Sequence, residues 1–149
     1  MSAQWQSAPA PPPDSYRGGA SGPRAGFWRR FGASIVDGLV LAIPTGILYA
    51  IDPVLSNTVG TLIGLLYYVI LEGGKRGQTV GKMALGIRVY DLRQGGPIGY
   101  GRGFIRYIAR ILSTIPLLLG YFWMLWDSEK QTWHDKLAGS VVVPVDAYR

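Results

Sequence analysis

Three apolar stretches alternate with polar, glycine-bearing ones along the chain, and their lengths set the first expectations. The stretch from Phe31 to Ala50 has about the 20 residues that one helical crossing of a bilayer needs. The next, Val54 to Leu71, is just long enough. The connection between them is too short to do more than turn, so the pattern predicts an antiparallel transmembrane hairpin of helices over 31–50 and 54–71. Within the second helix Gly60 and Gly64 form a GxxxG pair, a close-packing face open to a partner helix.

The third stretch, Gly103 to Trp126, is of another kind. Arg102, Arg106 and Arg110 recur at i, i+4 and i+8, which places them on one helical face. Its first half therefore reads as an interfacial amphipathic helix with its arginines toward lipid phosphates. Pro116 bends the segment, and Leu117 to Trp126 is short for a full span. The aromatic residues at 121, 123, 126 and 133 read as interfacial anchors. Between the second and third stretches, Gly86-Ile-Arg-Val-Tyr-Asp91 alternates as a strand does, and Gly95-Gly96-Pro97 reads as a turn.

Gln78-Thr79, Gly86 and Val89 recur, at the same spacings, as Gln131-Thr132, Gly139 and Val142. Such a repeat predicts two strands paired on one side of the membrane. Residues 104–126 would then enter and leave by the same face, as a re-entrant element. The competing arrangement is a single kinked crossing that leaves the C-terminus on the other side.

Composition sharpens this picture. Hydrophobic residues make up 48% of the 149 residues and charged ones only 16%, against a usual quarter in soluble domains. Residues 1–24, rich in proline, glycine and serine, are expected to form a disordered cytoplasmic tail, with a membrane domain over 25–149. With no cysteine there is no disulfide framework and no thiolate site. One histidine makes a catalytic zinc site untenable, and no Ser-His-Asp arrangement has supporting context. Gly77-x-x-x-Gly81-Lys82 is one residue short of a phosphate-binding loop and lacks its Ser or Thr. No metal, cofactor or catalytic residue is expected.

The formal charge is +6, and its placement excludes nucleic acid as the partner. Arg17, Arg24, Arg29 and Arg30 precede the first span. Lys75, Arg76, Lys82, Arg88, Arg93 and Arg102 lie between the second and third stretches, and the short connection carries no Lys or Arg. This is the positive-inside distribution, with both basic segments cytoplasmic. Lys75, Arg76, Lys82 and Arg102 are expected to contact anionic headgroups.

Asp37 is the sharpest residue. A carboxylate in mid-span costs about 2.5–3.5 kcal/mol on insertion scales, so it must face protein, water or a counter-ion. Arg30 lies seven residues earlier on the same face, with Ser34 between, and a direct or water-bridged pair is expected. Arg106 and Arg110 are competing partners. Asp135, beside the lone His134, is placed to accept from Arg29 or Arg30 if the C-terminal segment returns to the same side.

These residues together resemble the RDD family of bacterial membrane proteins. The likeness rests on Arg30, on Asp37 seven residues on, and on His134-Asp135 before Leu-Ala-Gly-Ser-Val-Val-Val. Gly77-Gln-Thr-Val-Gly-Lys82 and Arg106-Tyr-Ile-Ala-Arg110 add to it. It covers residues 25–145, and the family's naming residues fall on Arg30, Asp37 and Asp135, with Arg29 as a second candidate for the arginine. The resemblance implies an all-α integral membrane domain: a transmembrane hairpin, a third bent or re-entrant membrane helix, and short cytoplasmic β-strands. It also implies a multi-pass protein of the bacterial inner membrane with a cytoplasmic N-terminus. Two functions are compatible with it. One is an oligomeric transporter of ions or small solutes built around an intramembrane Arg-Asp pair. The other is an accessory or scaffold subunit that binds partner proteins or anionic lipid.

Overall fold

A computed structural model describes residues 23–114 and 119–147; most of the expected polar tail, and Pro116, lie outside them. Helix α1 spans Phe27–Ile51 and α2 spans Pro53–Gly73. Asp52 alone joins them. Its carboxylate accepts hydrogen bonds from Val54 N (2.7 Å) and Leu55 N (3.1 Å), capping α2. Pro53 opens that helix where a missing N–H leaves nothing unpaired. Both helices are long and apolar enough to cross a membrane, and only 6% of each apolar window is buried within the chain. In water such faces would aggregate; in a bilayer they meet their own solvent.

The GxxxG pair is used inside the chain and is no free docking face. A Cβ on Gly60 would lie 3.0 Å from Thr45 of α1, and one on Gly64 would lie 3.5 Å from the Tyr107 hydroxyl. One glycine thus admits α1, the other the third membrane element.

The basic segment after α2 contains the expected strand and a short helix before it. It holds helix α3, Val80–Ala84, and strand β1, Ile87–Asp91. Then come α4, Tyr100–Thr114, the short α5, Leu119–Phe122, and a 3-10 turn over Trp123–Leu125. The axes of α4 and Leu119–Leu125 differ by 113°. Helix α6, Trp133–Leu137, and strand β2, Ser140–Pro144, follow. Strands β1 and β2 pair antiparallel, and Ala25 N donates to Val142 O (2.9 Å). The start of α1, the end of α2 and both strands therefore share one end of the hairpin. The chain leaves that end after β1 and is back at it in β2, with α4 and Leu119–Leu125 forming a bent pair between them.

The repeat is real. Thr79 caps α3 and Thr132 caps α6; Gly86 (φ +61°) and Gly139 (φ +59°) then turn each helix into its strand. That left-handed backbone is where glycine alone carries no Cβ penalty. Gln78 Nε2 donates to Ile87 O and Gln131 Nε2 to Ser140 O, at equivalent positions. Val89 faces Val142 at the centre of the ladder. At its ends Leu92 N donates to Gly139 O (3.1 Å) and Val145 N to Gly86 O (3.0 Å). The two helix–strand units are thus related by an approximate two-fold axis. Even their clamps correspond: Arg29 donates to Leu85 O and Gly86 O, and Arg102 to Ala138 O and Gly139 O. Ile87, Val89 and Val142 are buried with Ala25 and Ala33, forming the core beneath α1.

Candidate functional site

Side chains from α1, α2, α3, α4 and α6 converge where α1 begins and α2 ends. Glu72, in the last turn of α2, is 0% exposed. Its Oε2 accepts from Arg106 Nε (2.9 Å), and its Oε1 from Lys82 Nζ (2.6 Å) and Arg110 Nη2 (2.8 Å). Arg106 also reaches Asp135 and Ser140 Oγ through Nη1. Asp135 in turn accepts from Arg30 Nη2 (2.5 Å) and from Thr132 N (3.1 Å). One continuous network runs from Arg30 through Asp135, Arg106 and Glu72 to Lys82 and Arg110.

Helix phase explains the convergence. Arg106 and Arg110 are one turn apart on α4, and Glu72 sits opposite both. Gly73 and Gly103 bring the two helices together: a Cβ on Gly103 would lie 3.1 Å from Val69 O, and one on Gly73 2.7 Å from Gly99 O. Arg110 adds a cation–π contact with Tyr68, 4.0 Å from the ring centroid.

Several expectations change here. Asp37 is buried as foreseen, but its partner is not Arg30, Arg106 or Arg110. Its Oδ1 accepts from Tyr67 Oη (2.6 Å) and Gly81 N (2.7 Å), and its Oδ2 from Thr79 Oγ1 (2.7 Å). Among the described residues Asp37 forms no ion pair. Neutral donors hold this carboxylate because α3 presses on α1; a Cβ on Gly81 would fall 2.0 Å from Ala33 O. Arg30 turns the other way, to Asp135. Arg106 and Arg110 are engaged inside the chain, Arg106 by carboxylates of α2 and α6 and Arg110 by that of α2. Lys82 is buried on Glu72 and is no headgroup contact; Arg102 clamps Asp91 and the end of α6 with its side chain 35% exposed. Lys75 and Arg76 stay exposed. With Arg88 they border a hollow of about 140 Å³. Arg88 Nε is the one buried side-chain nitrogen without a partner among the described residues.

Glu72 went unforeseen in the sequence. Its signal was there: it is the only acidic residue between Asp52 and Asp91, set where an apolar run ends.

Burial disfavours the Asp135 carboxylate, but Arg30 and Arg106 outweigh it and hold the group well below the usual range. His134, 3% exposed, is pushed well below its ordinary value by burial, which Asp135 opposes and Arg106, Arg110 and Arg30 reinforce. Both its ring nitrogens lie near Thr132 Oγ1, and its Nε2 is 3.8 Å from Asp135 Oδ1. That separation is too long for an oriented dyad. Among the described residues no three His, Asp or Glu side chains converge to hold a metal.

Against the network lies a cavity of about 340 Å³. Arg30, Lys82, Arg106 and Arg110 line it, with Asp37 as the only carboxylate on its wall among the described residues. Tyr68, Tyr121, Ser34, Thr114 and Thr132 contribute hydroxyls. Phe27, Phe31, Phe122 and Met124 supply the apolar side, with Phe27 stacked between Phe31 (5.9 Å) and Phe122 (5.8 Å).

Two apolar helices of membrane-crossing length, a bent third element and a charge network sealed at one end define a small integral membrane domain. The chain belongs to the RDD family, whose sequence pattern matches residues 24–139. It is 32% identical to the uncharacterized protein YxaI of Bacillus subtilis over 147 residues, covering 80% of this chain and 96% of that one. To the uncharacterized membrane protein YteJ of the same organism it is 30% identical, covering 84% of each. The proline-rich antigen homolog of Mycobacterium tuberculosis is 33% identical over 87 residues, which is 56% of this chain but 36% of that longer protein. No solved structure matches.

Proposed function

We propose that the chain is the subunit of a self-associating, multi-pass transporter of ions or small solutes. It would lie in the bacterial inner membrane with its N-terminus cytoplasmic. The observation that carries this reading is the cavity of about 340 Å³ bounded by charged side chains at one end of the hairpin. Ionisable side chains that membrane helices turn toward a cavity are by default candidates for a solute pathway. One subunit has too few crossings to enclose a path, and the sides of α1 and α2 are open to further copies. The basic residues gathered at the end that holds both strands support a cytoplasmic placement of that end. There the exposed Lys75 and Arg76 would meet anionic headgroups.

The test is reconstitution into vesicles with solute or proton gradients, comparing the wild type with Asp37→Asn and Arg110→Gln. Loss of flux in variants that fold supports transport. A wild type without flux, whose variants lose only stability, favours the accessory subunit. The observation on that side is that Glu72 and Asp135 are fully engaged by cations, which fixes packing whether or not anything moves.

A further inference from the structure

The composition of the cavity wall says more than that a solute fits. Four cations, Arg30, Lys82, Arg106 and Arg110, stand against three carboxylates in the buried site, Asp37, Glu72 and Asp135. One positive charge is left over. Glu72 and Asp135 do not line the cavity; they lie behind the cations that do. Asp37 already receives three donors and has little capacity left to coordinate a cation. Arg110 spends one hydrogen bond, from Nη2, on Glu72; its Nε and Nη1 have no protein acceptor among the described residues. Only Arg88 Nε is buried without a partner among the described residues, so the free nitrogens of Arg110 open onto the cavity, where a counter-charge can join them. The mouth differs from the floor. Phe31 and Phe122 line the cavity yet are 49% and 41% exposed, whereas Asp37 and Arg106 are 1% exposed.

We infer that this cavity binds an amphipathic monoanion, its oxyanion head on Arg110 and its apolar body among Phe27, Phe31 and Phe122. The assignment rests on the transport reading only for its physiological role; the binding itself does not require flux. Carboxylate and phosphate-diester heads share this chemistry, so the anion comes either from a soluble organic acid or from an anionic phospholipid.

The experiment is titration of the purified protein in a non-ionic detergent with three near-isosteric probes: phenylacetate, phenylacetamide and 2-phenylethylammonium. Phenylacetate is expected to bind and the neutral and cationic probes not to. Arg110→Gln should weaken phenylacetate about tenfold, the effect of losing one charge-assisted contact. The exposed Arg93→Gln, which removes the same charge elsewhere, should leave it unchanged. Phe122→Ala should also weaken binding, and serves if Arg110→Gln does not fold. The three-probe comparison on the wild type stands without either variant. Native mass spectrometry with phosphatidylglycerol separates the sources. Retained lipid that phenylacetate displaces identifies a lipid ligand; phenylacetate binding without lipid retention identifies a soluble one. Equal binding of all three probes, equal loss in Arg93→Gln and Arg110→Gln, or no binding of either anion would overturn the inference. Binding without flux would overturn only transport, and flux of a solute with no preference for anions would overturn only this assignment.

Discussion

Arg106 Nε meets Glu72 Oε2 at 2.9 Å, and each side chain is only 1% exposed. Since Arg106 also holds Asp135, α2, α4 and α6 are fastened through one guanidinium. Replacing Glu72 by Gln leaves Lys82, Arg106 and Arg110 facing one another without their common anion. Removing one partner of a buried ionic network costs about 3–5 kcal/mol. Glu129→Gln, in the more open pair with Arg24, should cost below about 1 kcal/mol. Denaturant unfolding of both variants in detergent measures the contrast, and equal losses would refute the central place given to Glu72.

Acid should loosen the fold from near pH 6.5 downward. His134 has a depressed folded-state value, so the unfolded chain takes up its proton near 6.5 while the folded chain refuses it. The unfolded state then binds more protons, and stability is full above 6.5 and declines below it, by at most about 1.4 kcal/mol per pH unit. Asp135 works at lower pH. Its contribution is present above its unfolded value of 3.8 and is lost as pH falls through the lower folded one. Melting temperature followed from pH 7.5 to 4.5 should slope in the wild type and flatten in His134→Gln.

Gly139→Ala should destabilise by about 1–2 kcal/mol, because φ is +59° and the new Cβ would sit 2.9 Å from Arg102 Nη2. Gly86→Ala should behave alike, its Cβ falling 3.2 Å from Arg29 Nη2. Gly26→Ala, with nothing within 4 Å, is the control. Parallel losses at the two equivalent glycines in thermal unfolding would confirm that both units depend on the same left-handed turn.

Single cysteines at Asn57 and Asp146 should react with an impermeant thiol reagent from opposite sides of intact cells and inverted vesicles. Both positions are exposed, and the native chain has no thiol to interfere. Labelling of both from one side would refute the proposed topology.

What the chain revealed beforehand follows from how far apart the interacting residues are. Helices α1 and α2 announce themselves because lipid-facing surface needs nothing but length and apolarity. The paired units were readable as a recurrence because each is local. The charge network was not. A file of arginines on α4 looks the same whether it faces phosphate or a carboxylate on another helix. Arg30 and Asp37 share a face, yet Arg30 takes a partner 105 positions away. The donors to Asp37 come from α2 and α3, through Tyr67, Thr79 and Gly81. An apolar window that stops at Leu71 hides Glu72, since burial of an acid at a helix end depends on what later closes over it.

That closure has an order imposed by the ribosome. Glu72 emerges 34 residues ahead of Arg106 and 38 ahead of Arg110. While β1 and the first half of α4 are synthesised, Lys82 is the only one of the three cations of Glu72 yet made. Arg106 and Arg110 thus reach Glu72 only after the hairpin and α3 have been made, and this end of the molecule is the last part of the fold to be completed.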